Sequence, residues 1–207
     1  MFLDVMKLMD HLVWIDCEMT GLSPDNDSLV EIAVVVTNSD LEVLDPGLDL
    51  VIKPREGTAE NMSDFVREMH TKSGLINEFA DGVDLAAAEK AVLEYIKRWV
   101  PDARTAPLAG NTIGTDRMFI TKYMPELDAH LHYRNIDVST IKELTKRWYP
   151  RVYYQLPKKD GGHRALADIL ESIEELRYYR KTVLVPLPGP SSEESQLAAQ
   201  SLKADKL

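Results

Sequence analysis

The pattern of apolar and polar positions changes character along the chain. From Leu12 to Met19 and from Leu29 to Thr37 the residues are apolar and rich in β-branched types, which predicts two strands. Leu41 to Lys53 predicts a third, broken near Pro46-Gly47. Short turns rich in Ser, Asp and Asn separate the three, so they should form an antiparallel meander. Glu31 interrupts the second run. Beyond Pro54 the period becomes helical. Met62 to Arg67 predicts a short helix. Leu85, Ala88, Val92, Tyr95, Ile96 and Trp99 form a core-facing stripe between Asp84 and Pro101. Pro107 to Ala109 is a short strand ending at Gly110-Asn111. Thr115 to Tyr123 follows as a helix, with Met118, Phe119 and Tyr123 available to pack. Tyr133 to Asp137 is a further strand. Val138 to Trp148 is a helix with Val138, Ile141, Leu144 and Trp148 as its seam and Thr140 and Glu143 at capping-box spacing. Arg151 to Gly162 is loop, and the last main helix runs from about His163 to Tyr179 with Leu166, Ile169, Leu170, Ile173 and Leu176 buried. The order predicts a mixed α/β sheet with helices packed on it.

Length and composition narrow this further. A chain of 207 residues accommodates one domain and a tail. We place an N-terminal extension at 1–11, the domain at 12–182, and a Pro-rich, polar and mobile tail at 183–207, with one weak helical segment. The net charge of −10 argues against tracking a long duplex, which needs stripes of Lys and Arg, and suits short substrates better. Cys17 is the only cysteine, so no internal disulfide forms, which fits a reducing cytoplasm. The first eleven residues lack the features of a signal peptide, and no apolar run approaches the ~20 residues of a membrane span.

The candidate chemistry begins in the first strand. Residues two apart share a face, so Asp16 and Glu18 project together with Leu12 and Trp14, while Val13, Ile15, Cys17 and Met19 take the other side. Two like charges at the end of a buried strand call for a cation, and a hard one such as Mg²⁺ suits carboxylates. An isolated Asp-x-Glu is nevertheless more often a strand end with two surface acids. Asp116 alone is an ordinary helix-start acid, and Asp168 alone a solvated one. His163 precedes Asp168 by five residues, a separation of about 140° around a helix, so the two share a site only if His163 lies at or before the helix start. Gly161-Gly162 would allow that.

Taken together, Asp16-x-Glu18, Asn111 leading to Asp116, and His163 with Asp168 resemble the three exonuclease motifs of the DEDD superfamily, in its DEDDh form. The longer runs Trp14-Ile15-Asp16, Glu18-Met19-Thr20-Gly21-Leu22, Gly110-Asn111-Thr112-Ile113-Gly114, His132-Tyr133-Arg134, Asp137-Val138-Ser139-Thr140 and Arg147-Trp148-Tyr149-Pro150 are similar to the oligoribonuclease family. The resemblance covers about residues 12 to 182. It implies a ribonuclease H-like fold, with a mixed five-stranded sheet made of the meander and two further strands, flanked by helices. It also implies a cytoplasmic homodimer that degrades very short RNAs, dinucleotides above all, from the 3′ end to nucleoside 5′-monophosphates. Asp16, Glu18, Asp116 and Asp168 would hold two Mg²⁺ or Mn²⁺ ions, and His163 would take the proton of the attacking water. Leu22 matches a leucine that wedges between bases. Phe65 stands where other members carry a stacking Trp, and an ordinary core aromatic is an equal reading. His70 and Thr112 match contacts near the 3′ end, Thr112 replacing a Ser. Tyr133 and Arg134 match residues that reach the 5′ phosphate from the other protomer. Two alternatives stay open: a related DEDDh exonuclease acting on RNA 3′ ends or DNA, and a non-catalytic nucleic-acid-binding relative.

Overall fold

The computed structural model describes residues 11–158 and 162–204. Met1 to Asp10 of the expected extension, and Lys159 and Gly161 of the glycine-bearing loop, lie outside the described residues, while His11 already belongs to the first strand. Five strands, β1 (His11–Met19), β2 (Leu29–Asn38), β3 (Leu48–Val51), β4 (Pro107–Gly110) and β5 (His132–Asp137), form one sheet in the order β3-β2-β1-β4-β5. β1 to β3 pair antiparallel as the meander requires, and β4 and β5 add in parallel on the other side of β1. The third strand is shorter than its apolar pattern suggests. Pro46-Gly47 interrupts the run, and Gly47 adopts φ 88°, so only Leu48–Val51 joins the ladder.

The alternation in β1 sorts the two faces as expected. Val13, Ile15 and Cys17 join one buried cluster; Trp14 joins the other. On the first face pack α2 (Leu85–Trp99), through Ala88, Val92 and Ile96, then α3 (Gly114–Tyr123) and α4 (Pro125–His130). On the second pack α5 (Val138–Trp148) and α7 (Ala165–Thr182), the latter through Ile169, Ile173 and Tyr179. A smaller cluster of Val30, Met62, Leu75 and Phe79 seats α1 (Asp64–Lys72) and the turns after it.

Several details depart from the sequence reading. The helix expected at Met62–Arg67 starts later and runs to Lys72, because Ser63 caps it by accepting the Val66 amide at 3.3 Å. The cap of α5 is Asp137, which accepts the Ser139 amide at 2.9 Å, rather than a Thr140–Glu143 box. Met118, Trp148 and Leu170 are exposed instead of packed. The loop after Trp148 contains a short helix, α6 (Pro150–Tyr153), whereas the helical segment expected in the tail is present as α8 (Ser192–Ala204).

Candidate active site

The sheet changes from antiparallel to parallel at β1, and sites form readily at the carboxyl ends of strands beside such a switch. Asp16 and Glu18 lie at that end, on the face that α7 covers. Asp116 is the third residue of α3, and its Oδ1 accepts the Cys17 backbone N–H at 3.0 Å, which ties the helix to β1. Asp168 sits in the first turn of α7. His163 lies two residues before that helix at φ 47°, so the condition for its sharing a site with Asp168 is met. One nitrogen of His163 and one carboxylate oxygen each of Glu18 and Asp168 lie within 4.8 Å of one another.

Glu18 and Asp116 are buried, and the set is electrostatically strained. Burial, with the charges of Glu31, Asp168 and Asp116, pushes Glu18 up to about 8, and the Arg164 guanidinium pulls the other way. Asp16 rises well above the carboxylate range through burial and the charges of Asp116, Asp168 and Glu18. Burial takes Asp116 to about 7 despite its hydrogen bond from Cys17. Carboxylates that desolvate and repel one another in this way call for a compensating cation, and their oxygens are the donors that Mg²⁺ and Mn²⁺ prefer. The donor set therefore fits a divalent cation. Burial and the same acids raise the Cys17 thiol, which points into the opposite core and takes no part.

Beside the acids, Leu22 and Phe65, each 75% exposed, line one cavity of about 650 Å³ together with Glu18, Met19, Ser63 and Met69. The turn that presents Leu22 is clasped by Asp27. Its carboxylate accepts the Thr20 hydroxyl at 3.0 Å and the Ser23 amide at 2.9 Å. A Cβ on Gly21 would lie 2.5 Å from Asp27 Oδ2, so a side chain there would push the clasp aside. His70 is 0% exposed, with Nε2 against the Met19 carbonyl at 2.9 Å and Nδ1 3.9 Å from Glu18. It therefore stands behind Glu18 rather than on the cavity wall. Thr112 is exposed beside the motif, its backbone at φ 53° and its amide held by Asp137 and Ser139. Tyr133, 68% exposed, and Arg134 lie together on the edge strand β5 and do not line this cavity. The sequence reading missed Asp27 and gave Glu31 no role. A carboxylate within a buried apolar strand was the available clue to the latter, because it must have a partner.

Residues 13–176 match the Exonuclease family. Exonuclease I in its complex with single-stranded DNA from E. coli superposes with a TM-score of 0.59 at 13% identity, over 84% of this chain and 41% of that one. Exonuclease I of Methylocaldum szegediense gives 0.58 at 17% identity, again over 84% of this chain and 41% of that one. The chain thus spans about two-fifths of the length of these structural neighbours, and the likeness concerns the fold, which is ribonuclease H-like. Fold and acidic cluster together define an exonuclease-domain enzyme. Among curated proteins, the oligoribonuclease of Leifsonia xyli subsp. xyli is 66% identical over 193 residues, covering 93% of both chains. Those of Streptomyces griseus and Mycobacterium tuberculosis are 54% and 57% identical, covering 94% and 90% of this chain and 97% and 87% of theirs. The chain belongs to the oligoribonuclease family.

Proposed function

We propose that the protein is a 3′→5′ exoribonuclease of very short RNAs, with 5′-phosphorylated dinucleotides as preferred substrates and nucleoside 5′-monophosphates as products. The observation that carries this reading is the convergence of Glu18, Asp168 and His163 within 4.8 Å, among carboxylates that bury and repel one another. Asp16, Glu18, Asp116 and Asp168 hold two divalent cations, Mg²⁺ or Mn²⁺. Such ions supply Lewis-acid stabilisation of the negative charge that builds on the phosphate oxygens. His163 accepts the proton of the attacking water at a ring nitrogen. As the new oxygen–phosphorus bond forms, the bond from phosphorus to the 3′ oxygen breaks, and the terminal nucleotide leaves with its 5′ phosphate. The Cys17 amide keeps Asp116 oriented. Leu22 and Phe65 hold the bases from the cavity wall, and His70, behind Glu18, steadies the end of β1. Thr112 offers a hydroxyl near the 3′ end.

Tyr133 and Arg134 bind the 5′ phosphate from a second protomer of a homodimer. Their exposure on an edge strand, outside the lining of this chain's own cavity, supports a role across an interface. A phosphate clamp at a fixed distance from the cleavage centre selects length, which agrees with the acidic overall charge. The enzyme acts in the cytoplasm; among the described residues no helix is long and apolar enough to cross a membrane.

Turnover of 5′-phosphorylated dinucleotides, a ladder of longer RNAs and a DNA oligonucleotide, with and without Mg²⁺, tests the reading. We expect metal-dependent turnover, fastest on the dinucleotide. Preference for the longer strands or for DNA overturns the substrate assignment, and absence of any turnover favours a binding module. His163→Ala should lower kcat by about 10²–10⁴ while calorimetry shows Mn²⁺ binding retained. Arg134→Ala should harm 5′-phosphorylated dinucleotides more than unphosphorylated ones.

A further inference from the structure

Glu31 is a fifth acid beside the site. It is 0% exposed and pairs in register with Glu18 across β1 and β2. A carboxylate there is tolerable only if donors satisfy it. Its Oε1 accepts Arg164 Nε at 2.7 Å, and its Oε2 accepts the Ala165 backbone N–H at 3.0 Å. The remaining guanidinium nitrogens donate to both oxygens of Glu78, at 2.8 and 3.3 Å. Glu31 is thus occupied by donors on both oxygens, which separates it from the acids available to a cation.

These bonds converge on one short segment. Arg164 follows His163 and precedes α7, whose N-terminus has no side-chain cap of its own. Glu31 supplies the missing acceptor from across the sheet. His163 holds a left-handed backbone conformation that a residue with a Cβ keeps only where its surroundings over-determine it. The Asp168 amide closes the first turn of α7 onto the Arg164 carbonyl at 3.1 Å. The placement of His163 and Asp168 therefore depends on where Arg164 and Ala165 are fixed.

We propose that Glu31, Arg164 and Glu78 form a positioning chain that locks the start of α7 against β2 and thereby sets His163 and Asp168 opposite Glu18. The inference rests on the roles given above to His163 and Asp168. Its rival is a purely electrostatic part for Arg164, the cation beside an acidic cluster, and the two differ in sign. Removing a nearby positive charge should tighten cation binding, whereas loosening the first turn of α7 should weaken it.

The test measures Mn²⁺ affinity by calorimetry, amide exchange over Ala165–Asp168, and kcat and KM on a 5′-phosphorylated dinucleotide, using the full chain. Arg164→Ala should weaken Mn²⁺ binding about tenfold, speed exchange in that turn, and lower kcat with little change in KM. Arg164→Lys keeps the charge but loses the fork and should recover only part of the loss. Glu78→Gln, at the outer end of the chain, should fall between Arg164→Lys and the unaltered protein and guards against a misfolded Arg164→Ala. Tighter Mn²⁺ binding by Arg164→Ala, or unaltered binding and exchange in Arg164→Lys and Glu78→Gln, overturns the proposal. His163→Ala runs in parallel: full activity there overturns the proton-accepting role, while the Mn²⁺ and exchange readouts still decide the positioning role.

Discussion

The acid cluster and the cavity beside it are built on opposite physical terms. Burial pushes Glu18 up to about 8 and Asp116 up to about 7, so under the function proposed above the fold itself bears the cost of the chemistry. Leu22 and Phe65 stand out into solvent on locally fixed backbone and add little strain to the fold. A reacting centre must be desolvated and charged to be useful, whereas a recognition surface needs only to be present and in place. Mutations in the two regions should therefore separate activity from stability in opposite ways.

The largest effect is expected from Asp16→Asn. Turnover should fall by at least about a thousandfold, yet the metal-free protein should melt a few degrees higher at pH 8, because one repelling charge is gone. Loss of both activity and stability would break the contrast. At the cavity, Leu22→Ala and Phe65→Ala should each raise KM for dinucleotides about tenfold, consistent with roughly 1–3 kcal/mol per stacked base, with kcat and melting temperature nearly unchanged. A large fall in kcat with KM constant would place these residues in the chemistry instead.

The same contrast bears on the pH dependence of stability. Glu18 and Asp116 have folded pKa values above the ordinary carboxylate range, so the folded apoprotein holds protons that the unfolded chain releases. Their contribution is fully present below about pH 4 and is lost as pH rises toward 8. Thermal melts of metal-free protein should show a midpoint that falls across pH 5 to 8, and saturating Mg²⁺ should flatten that fall. Calorimetry in buffers of different ionisation enthalpy should register proton release as Mg²⁺ binds near pH 7. A metal-free midpoint that rises over this range would contradict the strained state of the cluster.

The parts of this design legible in the sequence were those with local or periodic signatures. Alternation in β1 sorted Asp16 and Glu18 from Cys17, and helical geometry set the condition that His163 share a site with Asp168 only from at or before the start of α7, where it lies. Apart from the local clasp of Asp27, part of what escaped was non-local. Glu31 is 133 residues from the Arg164 that satisfies it, and no spacing rule connects them. The outward faces of helices escaped as well. Leu170 follows buried Ile169, yet one step around a helix turns it by about 100° and out into solvent. The break in the third run was legible at Pro46-Gly47, and β3 begins directly after it.

The clasp of Asp27 over Gly21 has a thermodynamic consequence. A dinucleotide, the substrate proposed above, offers few contacts, so little of its binding free energy is left over for ordering the protein. Because Thr20 and Ser23 are already tied to one carboxylate, the conformational entropy of the turn carrying Leu22 is surrendered when the chain folds and not when a ligand arrives. For so small a ligand, a pinned leucine is worth more than a mobile larger side chain, and a Cβ at position 21 would forfeit that advantage without touching a single group of the reacting centre.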